Sequence, residues 1–285
     1  MLVGALFAQL GIDHIFSYQD GVFHDLLPLC PFLDRPFEAH VDIFHPCFAS
    51  WYASRGHAGV ARLLQCRPAC LPYLMRYAVW SGHMELAATL HQRDRPLLMS
   101  LEKILDLAAS RDHLNMLAWL HGHDYAGCTY RAMNAAAARG NLSIVRFLHD
   151  HRTEGCSRSA MNGAMINGHL GVVAFLHNHR TEGCTPYGMD ITAKNGHLDV
   201  IQFLHAHRTE GCTADALTWA AAYGHLEVVR FLHEMRTEGY APWAIEAAAA
   251  GGHTAIVQFL ESHPKDNDVG ICDSDVVFSG RDFDF

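Results

Sequence analysis

The residues best suited to chemistry are histidines and cysteines that recur together in short loops. Each set has a His-x-His pair followed five residues later by a cysteine. The sets are His149, His151 and Cys156; His177, His179 and Cys184; and His205, His207 and Cys212. Imidazole nitrogens and cysteine thiolates are common zinc ligands. One hypothesis is therefore a metal-binding protein with a site in each loop.

The sequence also contains evidence against such sites. The next equivalent loop has His233, Met235 and Tyr240, so two of the three ligands are lost. Two rings separated by one helical residue point about 200° apart. The alternative interpretation is structural: the first histidine caps a helix C-terminus, and the cysteine fills the seam between repeats. We expect no bound metal and no cofactor.

Enzymatic chemistry has no positive signal. Histidines that follow a glycine, such as His197 and His225, occur in nearly every repeat, whereas a catalytic group occupies one special environment. We predict that they form hydrogen bonds in turns. The sequence has no Gly-rich phosphate loop and no Gly-x-Ser-x-Gly motif. We expect a protein that is not an enzyme.

The elements that position these residues are set by an internal repeat. A phrase of the form Gly-His-Leu-x-Val-Val/Ile-x-Phe-Leu-His begins at Gly168, Gly196 and Gly224. Weaker copies begin at Gly56, Gly82, Asp112, Gly140 and Gly252, and the spacing is 28 residues from Asp112 onward. The apolar spacing after the glycine is that of an amphipathic helix, and the glycine ends a preceding helix. A fixed period of this size predicts an all-α solenoid of stacked helix-turn-helix repeats.

We expect three parts in the chain. Residues 1–40 lack the phrase and are predicted to form an N-terminal helical cap, with helices near residues 2–18 and 22–29. Residues 41–264 form an array of about eight repeats, and residues 265–285 form an acidic, flexible tail. Leu10, Ile15 and Phe16 bear a faint likeness to the start of an F-box.

Composition limits the partners and the compartment. The net charge of −9 argues against nucleic-acid binding, which needs a basic stripe. No apolar run approaches the roughly 18–20 residues of a membrane span. The first basic residue is Arg35, so the positively charged start of a signal peptide is not expected. The once-per-repeat cysteines, being about 8–10 Å apart, are too distant for disulfides. We expect a monomer in the cytosol or nucleus.

The first helix of each regular repeat has one constant and one variable face. Small or aliphatic residues recur at the same four positions, which predicts the packed face. The residues at the other positions differ from repeat to repeat, and they are either a binding surface or drift on a solvent-exposed face. The predicted partner-binding residues are Arg131, Tyr187, Lys194, Trp219, Tyr223 and Trp243.

An Arg-Thr-Glu phrase recurs in the loops between repeats, for example at Arg180 and Glu182 and at Arg208 and Glu210. Stacking is expected to bring each arginine near the glutamate of a neighbouring repeat. The result would be a ladder of exposed ion pairs, each contributing less than about 1 kcal/mol.

Residues 220–232, Ala-Ala-Ala-Tyr-Gly-His-Leu-Glu-Val-Val-Arg-Phe-Leu, resemble the ankyrin repeat. The period of 28 is shorter than the family's 33 or so, and the family's Thr-Pro-Leu-His opening is absent. The resemblance covers about residues 41–264. It implies a non-catalytic protein-protein interaction scaffold that binds a partner along the groove of first helices. An alternative is a substrate-recruiting adaptor of a ubiquitin ligase, and an alternative of another class is the His/Cys metal-binding protein.

Overall fold

The computed structural model describes residues 18–19, 22–23, 26, 29–33 and 36–264. Two short antiparallel strands open the described part, β1 (Tyr18–Gln19) and β2 (Val22–Phe23). The predicted helix over residues 22–29 is therefore wrong at its start. Only two residues separate the strands, and their sequence, Asp-Gly, is one that favours tight turns over helix. The rest of the predicted helix over residues 2–18, the F-box-like residues and the tail lie outside the described residues.

Seventeen α-helices follow within the described residues. In chain order they are α1 (Cys30–Leu33), α2 (Phe37–Cys66), α3 (Leu71–Ser81), α4 (Met84–His91), α5 (Arg95–Met99), α6 (Ile104–Ser110), α7 (Leu114–Gly122), α8 (Tyr130–Ala138), α9 (Leu142–His151), α10 (Arg158–Ile166), α11 (Leu170–His179), α12 (Pro186–Lys194), α13 (Leu198–His207), α14 (Ala214–Ala222), α15 (Leu226–Met235), α16 (Ala244–Ala250) and α17 (Thr254–Ser262). A single 3₁₀ turn, Pro68–Cys70, joins α2 to α3.

The helices are arranged as stacked pairs. From α3 onward each repeat has a first helix (α3, α6, α8, α10, α12, α14, α16) and a second helix (α4, α7, α9, α11, α13, α15, α17), with α5 inserted after α4. Helix α2 is a further pair, merged across a kink at Gly56, so the boundary expected at residues 40–41 falls inside it. First helices pack against first helices of neighbouring repeats and against their own second helix. The predicted all-α solenoid is confirmed.

The turn between paired helices has a specific backbone geometry. Gly196 follows α12 with φ of +78°, a left-handed conformation that glycine adopts without steric cost. The Gly196 N–H donates to the Ala193 carbonyl at 3.0 Å, and the His197 N–H donates to the Thr192 carbonyl at 3.3 Å. These two bonds form a Schellman motif, which ends the first helix and reverses the chain.

The amino-terminal pairs have a different core from the regular repeats. Large rings fill the space between α2 and α3: Phe44 and Phe48 are fully buried with centroids 5.0 Å apart, and Tyr77 lies 4.7 Å from Phe48. Burial raises the pKa of Tyr77 to about 12. In the regular repeats alanines occupy much of the interface between first helices, which lets those helices approach closely. The bulkier residues accompany the irregular spacing of the first repeats.

Candidate functional site

The two faces of the first helices are separated by burial. In α14 the constant residues Ala216, Leu217, Ala220 and Ala221 are all at least 98 % buried. The equivalent positions of α8, α10 and α12 are buried too, which confirms that this face is packed. The variable positions are half-buried or exposed. The scaffold therefore leaves one continuous row of variable side chains accessible along the array.

A polar contact fixes how each first helix sits on the next. Asn162 of α10 accepts the backbone N–H of Thr185 at 3.0 Å and donates to the Thr185 hydroxyl at 3.0 Å. Asp190 of α12 accepts the N–H of Thr213 at 2.8 Å and its hydroxyl at 2.9 Å. Thr185 and Thr213 cap the first helices of the following repeats. Each repeat thus orients the cap of its successor.

Four of the six predicted partner-binding residues form one group, the aromatic patch: Tyr187, Lys194, Trp219 and Tyr223. The rings of Tyr187 and Trp219 lie 6.3 Å apart at 89°, an edge-to-face contact between α12 and α14. The Lys194 Nζ lies 4.8 Å from the centroid of the Tyr223 ring, within cation–π distance. Tyr187 is 54 % and Tyr223 56 % exposed.

The other two predicted residues lie apart from this group. Trp243 is 41 % exposed and occupies the N-cap position of α16, in the next repeat along. Arg131 is exposed in the first turn of α8, at the other end of the regular array, where its charge acts on Asp106. Both share the row of first helices with the aromatic patch.

The structure separates the candidate metal ligands of each loop. His149 packs edge-on against Phe175 of the next repeat, whereas His151 stacks on Phe147 of its own helix. Burial raises the pKa of the Cys156 thiol to about 11, which keeps it protonated at neutral pH. Within the described residues no group of three His, Cys, Asp or Glu side chains is placed to hold a metal ion. The geometry gives the metal hypothesis no support.

The prediction that the first histidine of each His-x-His pair caps the C-terminus of its helix is wrong. The second histidine does so: Nδ1 of His151, His179 and His207 lies 2.9–3.0 Å from the carbonyl four residues earlier. Because a carbonyl only accepts, this nitrogen carries the proton. The first histidine instead points to the next repeat, because side chains two apart on a helix leave in different directions. The cysteines do pack between successive loops, as expected, with free thiols.

The prediction that the histidines following glycine form hydrogen bonds in turns is confirmed for His83 and wrong for His197 and His225. His83 accepts the Leu86 N–H at 3.4 Å, but His197 and His225 make no capping bond. Their rings instead lie against the glycine of the preceding repeat. A methyl group on Gly196 would lie 2.5 Å from Nδ1 of His225. Glycine is therefore required both by the turn and by the ring of the next repeat.

The prediction for the Arg-Thr-Glu loops is also wrong in its pairing. Arg208 pairs with Glu210 of its own loop, with Nε 3.1 Å from Oε2, and both side chains are mostly buried. Arg208 has extended backbone angles, and residues two apart in an extended segment lie on the same side. The pair covers the preceding loop, where the Cys184 N–H donates to Glu210 at 3.2 Å.

The Arg208–Glu210 pair is expected to make the stability of the fold sensitive to acid. The hydrogen bond from Arg208 lowers the pKa of Glu210 to about 2. Because the folded pKa lies below the ordinary value of 4.5, the stabilisation is present above pH 4.5 and is lost as the pH falls towards 2. We expect Glu210→Gln to lower the thermal midpoint at pH 6 and to flatten its decline between pH 4.5 and 2.

The matched control is Glu227→Gln, because Glu227 is an exposed carboxylate at the start of α15. Thermal unfolding followed by circular dichroism across this pH range measures both variants. Equal slopes for the two variants would contradict a special role of the Glu210 pair.

The comparison with known families agrees with this geometry. Residues 189–271 match the family model described as ankyrin repeats in three copies. This segment runs from within α12 through α17 and includes the Gly-His turns at Gly196, Gly224 and Gly252. Residues 189–271 contain ankyrin repeats. No curated protein matches the sequence significantly.

Ankyrin repeats generally act as protein-protein interaction modules, and an exposed variable row on a fixed scaffold is consistent with that use. None of the helices described in the structure has both the length and the apolar composition needed to cross a membrane.

Sequence reasoning missed two features of the repeat array. The polar residue between the buried positions of each first helix was not singled out, although a short polar side chain recurs there as Asp106, Asn134, Asn162, Asp190 and Thr218. The second feature is a set of cations on α6 and α8, of which only Arg131 was predicted as a site residue. The sequence pattern that could have revealed this set is the recurrence of basic residues at the variable positions of two adjacent repeats.

Proposed function

We propose that this protein is a non-catalytic interaction protein, and that it binds a partner protein along the row of first helices, with the aromatic patch as the main contact. The observation that carries the proposal is the exposure of Tyr187 and Tyr223, both more than half accessible, on a face whose scaffold positions are buried. Aromatic side chains that are more than half exposed bury little apolar surface in the packing of the helices. They are typical of the residues that dominate binding energy at interfaces.

The contacts within the patch support tight recognition. Edge-to-face packing holds Tyr187 against Trp219, and Lys194 lies over Tyr223. Side chains that are already held by neighbours lose little rotamer freedom on binding, so more of the contact energy appears as affinity. Trp243 and Arg131 extend the same face in the two directions. The proposed compartment is the cytosol or nucleus, and the proposed functional unit is a monomer.

The test is affinity capture from native cell extract with the wild-type chain and with Tyr187→Ala/Trp219→Ala/Tyr223→Ala. We expect a partner that the triple variant fails to capture. With that partner purified, the triple variant should bind at least about 30-fold more weakly, since loss of a central anchor costs about 2 kcal/mol or more.

The matched control is Gln202→Ala/Glu227→Ala, which alters exposed residues of the second helices α13 and α15. It should bind as the wild type does, and all chains should have equal helicity. Full capture by the triple variant would exclude the aromatic patch as the contact.

A further inference from the structure

A basic cluster lies on the first helices at the amino-terminal side of the regular repeats. Lys103 and Arg111 flank α6, and Arg131 and Arg139 lie at the two ends of α8; all four are exposed. Neighbouring helices are about 8–10 Å apart, and eight residues of helix rise about 12 Å. The four charges therefore occupy a surface of about 10 by 12 Å.

Carboxylates neutralise only part of this cluster. Asp112 lies 3.8 Å from the Arg139 guanidinium, and Glu102 precedes Lys103 in sequence. Asp106 is 91 % buried beneath the surface, where its carboxylate accepts the N–H and hydroxyl of Thr129 at 2.7 and 2.6 Å. A cluster of four exposed cations contrasts with the net charge of −9 for the chain. Such a surface attracts an anionic segment.

One of the four cations, Arg111, stacks on the ring of Trp80, so the cluster offers an aromatic surface as well as positive charge. The Arg111 guanidinium carbon lies 4.4 Å from the centroid of the Trp80 ring. Stacking holds the guanidinium in a fixed position, and a held guanidinium can form a bidentate pair with a carboxylate. An acidic peptide that also carries aromatic side chains can pair with the cations and pack against the aromatic ring.

Residues 265–285 of the same chain have this composition. They contain six aspartates against Lys265 and Arg281, and three phenylalanines, Phe278, Phe283 and Phe285. The 21 residues can span about 70 Å when extended. From α16 back to α8 is four steps between first helices, or about 40 Å. The segment is therefore long enough to reach the basic cluster from the end of α17.

We propose that residues 265–285 dock on the basic cluster of the same chain. The segment then acts as an internal competitor, which an acidic segment of a partner must displace. Attachment to the same chain gives it an effective concentration in the millimolar range, so even a weak contact is occupied. This contact is separate from the aromatic patch, and it stands whether or not that patch binds a partner.

The test uses the full chain and a fluorescent peptide of residues 265–285. In the first chain variant, aspartates 273, 275, 282 and 284 are replaced by asparagine, which removes the charge of the attached segment. We expect this variant to bind the peptide at least about tenfold more tightly than the wild type, because the attached segment no longer competes. Binding should weaken as salt is added.

Two further variants carry charge reversals in addition to the neutralised segment. Arg131→Glu/Arg139→Glu should abolish peptide binding. Arg146→Glu/Arg230→Glu changes the net charge equally on exposed positions of α9 and α15, and should leave binding within about twofold after screening by salt. Arg131→Gln/Arg139→Gln replaces the first pair if that variant loses helicity, and it should weaken binding at least about tenfold, as expected for the loss of two charge-assisted contacts.

Equal affinities for the wild type and the neutralised variant would overturn the proposal, as would equal effects of the two charge reversals. The aromatic patch is intact in every chain, and no outside partner is used. Failure here and failure of the proposed function are therefore distinguishable.

Discussion

Replacing Gly196 with alanine is expected to lower the free energy of unfolding by roughly 2–4 kcal/mol. Two costs combine at this position. The left-handed backbone, with φ of +78°, disfavours any side chain by about 1–2 kcal/mol. The new methyl group would also lie 2.5 Å from the His225 ring, so the next repeat must shift.

The last repeat supplies a control for the backbone term. Gly252 has φ of +76° and no atom within 4 Å of an added methyl group, because no further described repeat follows it. Gly252→Ala should cost only about 1–2 kcal/mol. Urea unfolding followed by circular dichroism measures both variants.

A double-mutant cycle then isolates the contact between repeats. Gly196→Ala should cost less in a His225→Ala background than in the wild type, with a coupling energy of roughly 1–3 kcal/mol. Both residues lie in the same pair of adjacent repeats, so the order in which terminal repeats unfold does not affect the coupling. Additive effects would mean that the ring moves aside freely.

The second large effect is expected at Asp190. Asp190→Leu should lower the free energy of unfolding by roughly 1–3 kcal/mol, because the two hydrogen bonds that Thr213 donates to the buried Asp190 carboxylate are lost. Asp190→Asn should be tolerated, since Asn162 makes the same two contacts with Thr185 in the preceding repeat. The measurement is urea unfolding at pH 7.

The pH dependence of Asp190→Asn has a definite sign. Burial raises the pKa of the Asp190 carboxyl above its ordinary value of 3.8. The folded state therefore holds the proton more tightly, and the wild type loses stability as the pH rises from below 3.8 through the folded pKa. The asparagine variant should be at least as stable as the wild type at pH 7, and relatively less stable below pH 4. An asparagine variant as unstable as the leucine variant would exclude this account.

The architecture could be predicted from the sequence because the same contacts between helices recur in successive repeats. Four successive first helices, α8, α10, α12 and α14, bury small or aliphatic residues at the same positions, and α16 repeats the pattern in sequence. Five copies of one pattern therefore reinforce one another. The aromatic patch was found for the same reason: Tyr187, Trp219 and Tyr223 stand at positions that vary while their neighbours do not. Their mutual contacts follow from stacking one helix beside the next.

The sequence was less informative about groups that contact across a repeat boundary. The pairing of Arg208 with Glu210 depends on extended backbone at Arg208, which the helical period does not reveal. The position of the His225 ring over Gly196 depends on the distance between turns of neighbouring repeats. At the amino terminus, the strand β2 begins at Val22, where apolar residues suggested a helix, and the Asp-Gly sequence before it is one that favours tight turns. Local turn chemistry outweighed hydrophobic pattern in that case.

The contact between the polar residue of one first helix and the cap of the next also has an evolutionary consequence. The two halves of each such contact lie 23 residues apart, in successive 28-residue units, and asparagine, aspartate or threonine can supply the first half. A gene that gains or loses one whole unit therefore keeps a matched donor and acceptor at the new junction. An array of such repeats can therefore change in length by whole units without a new kind of contact between repeats.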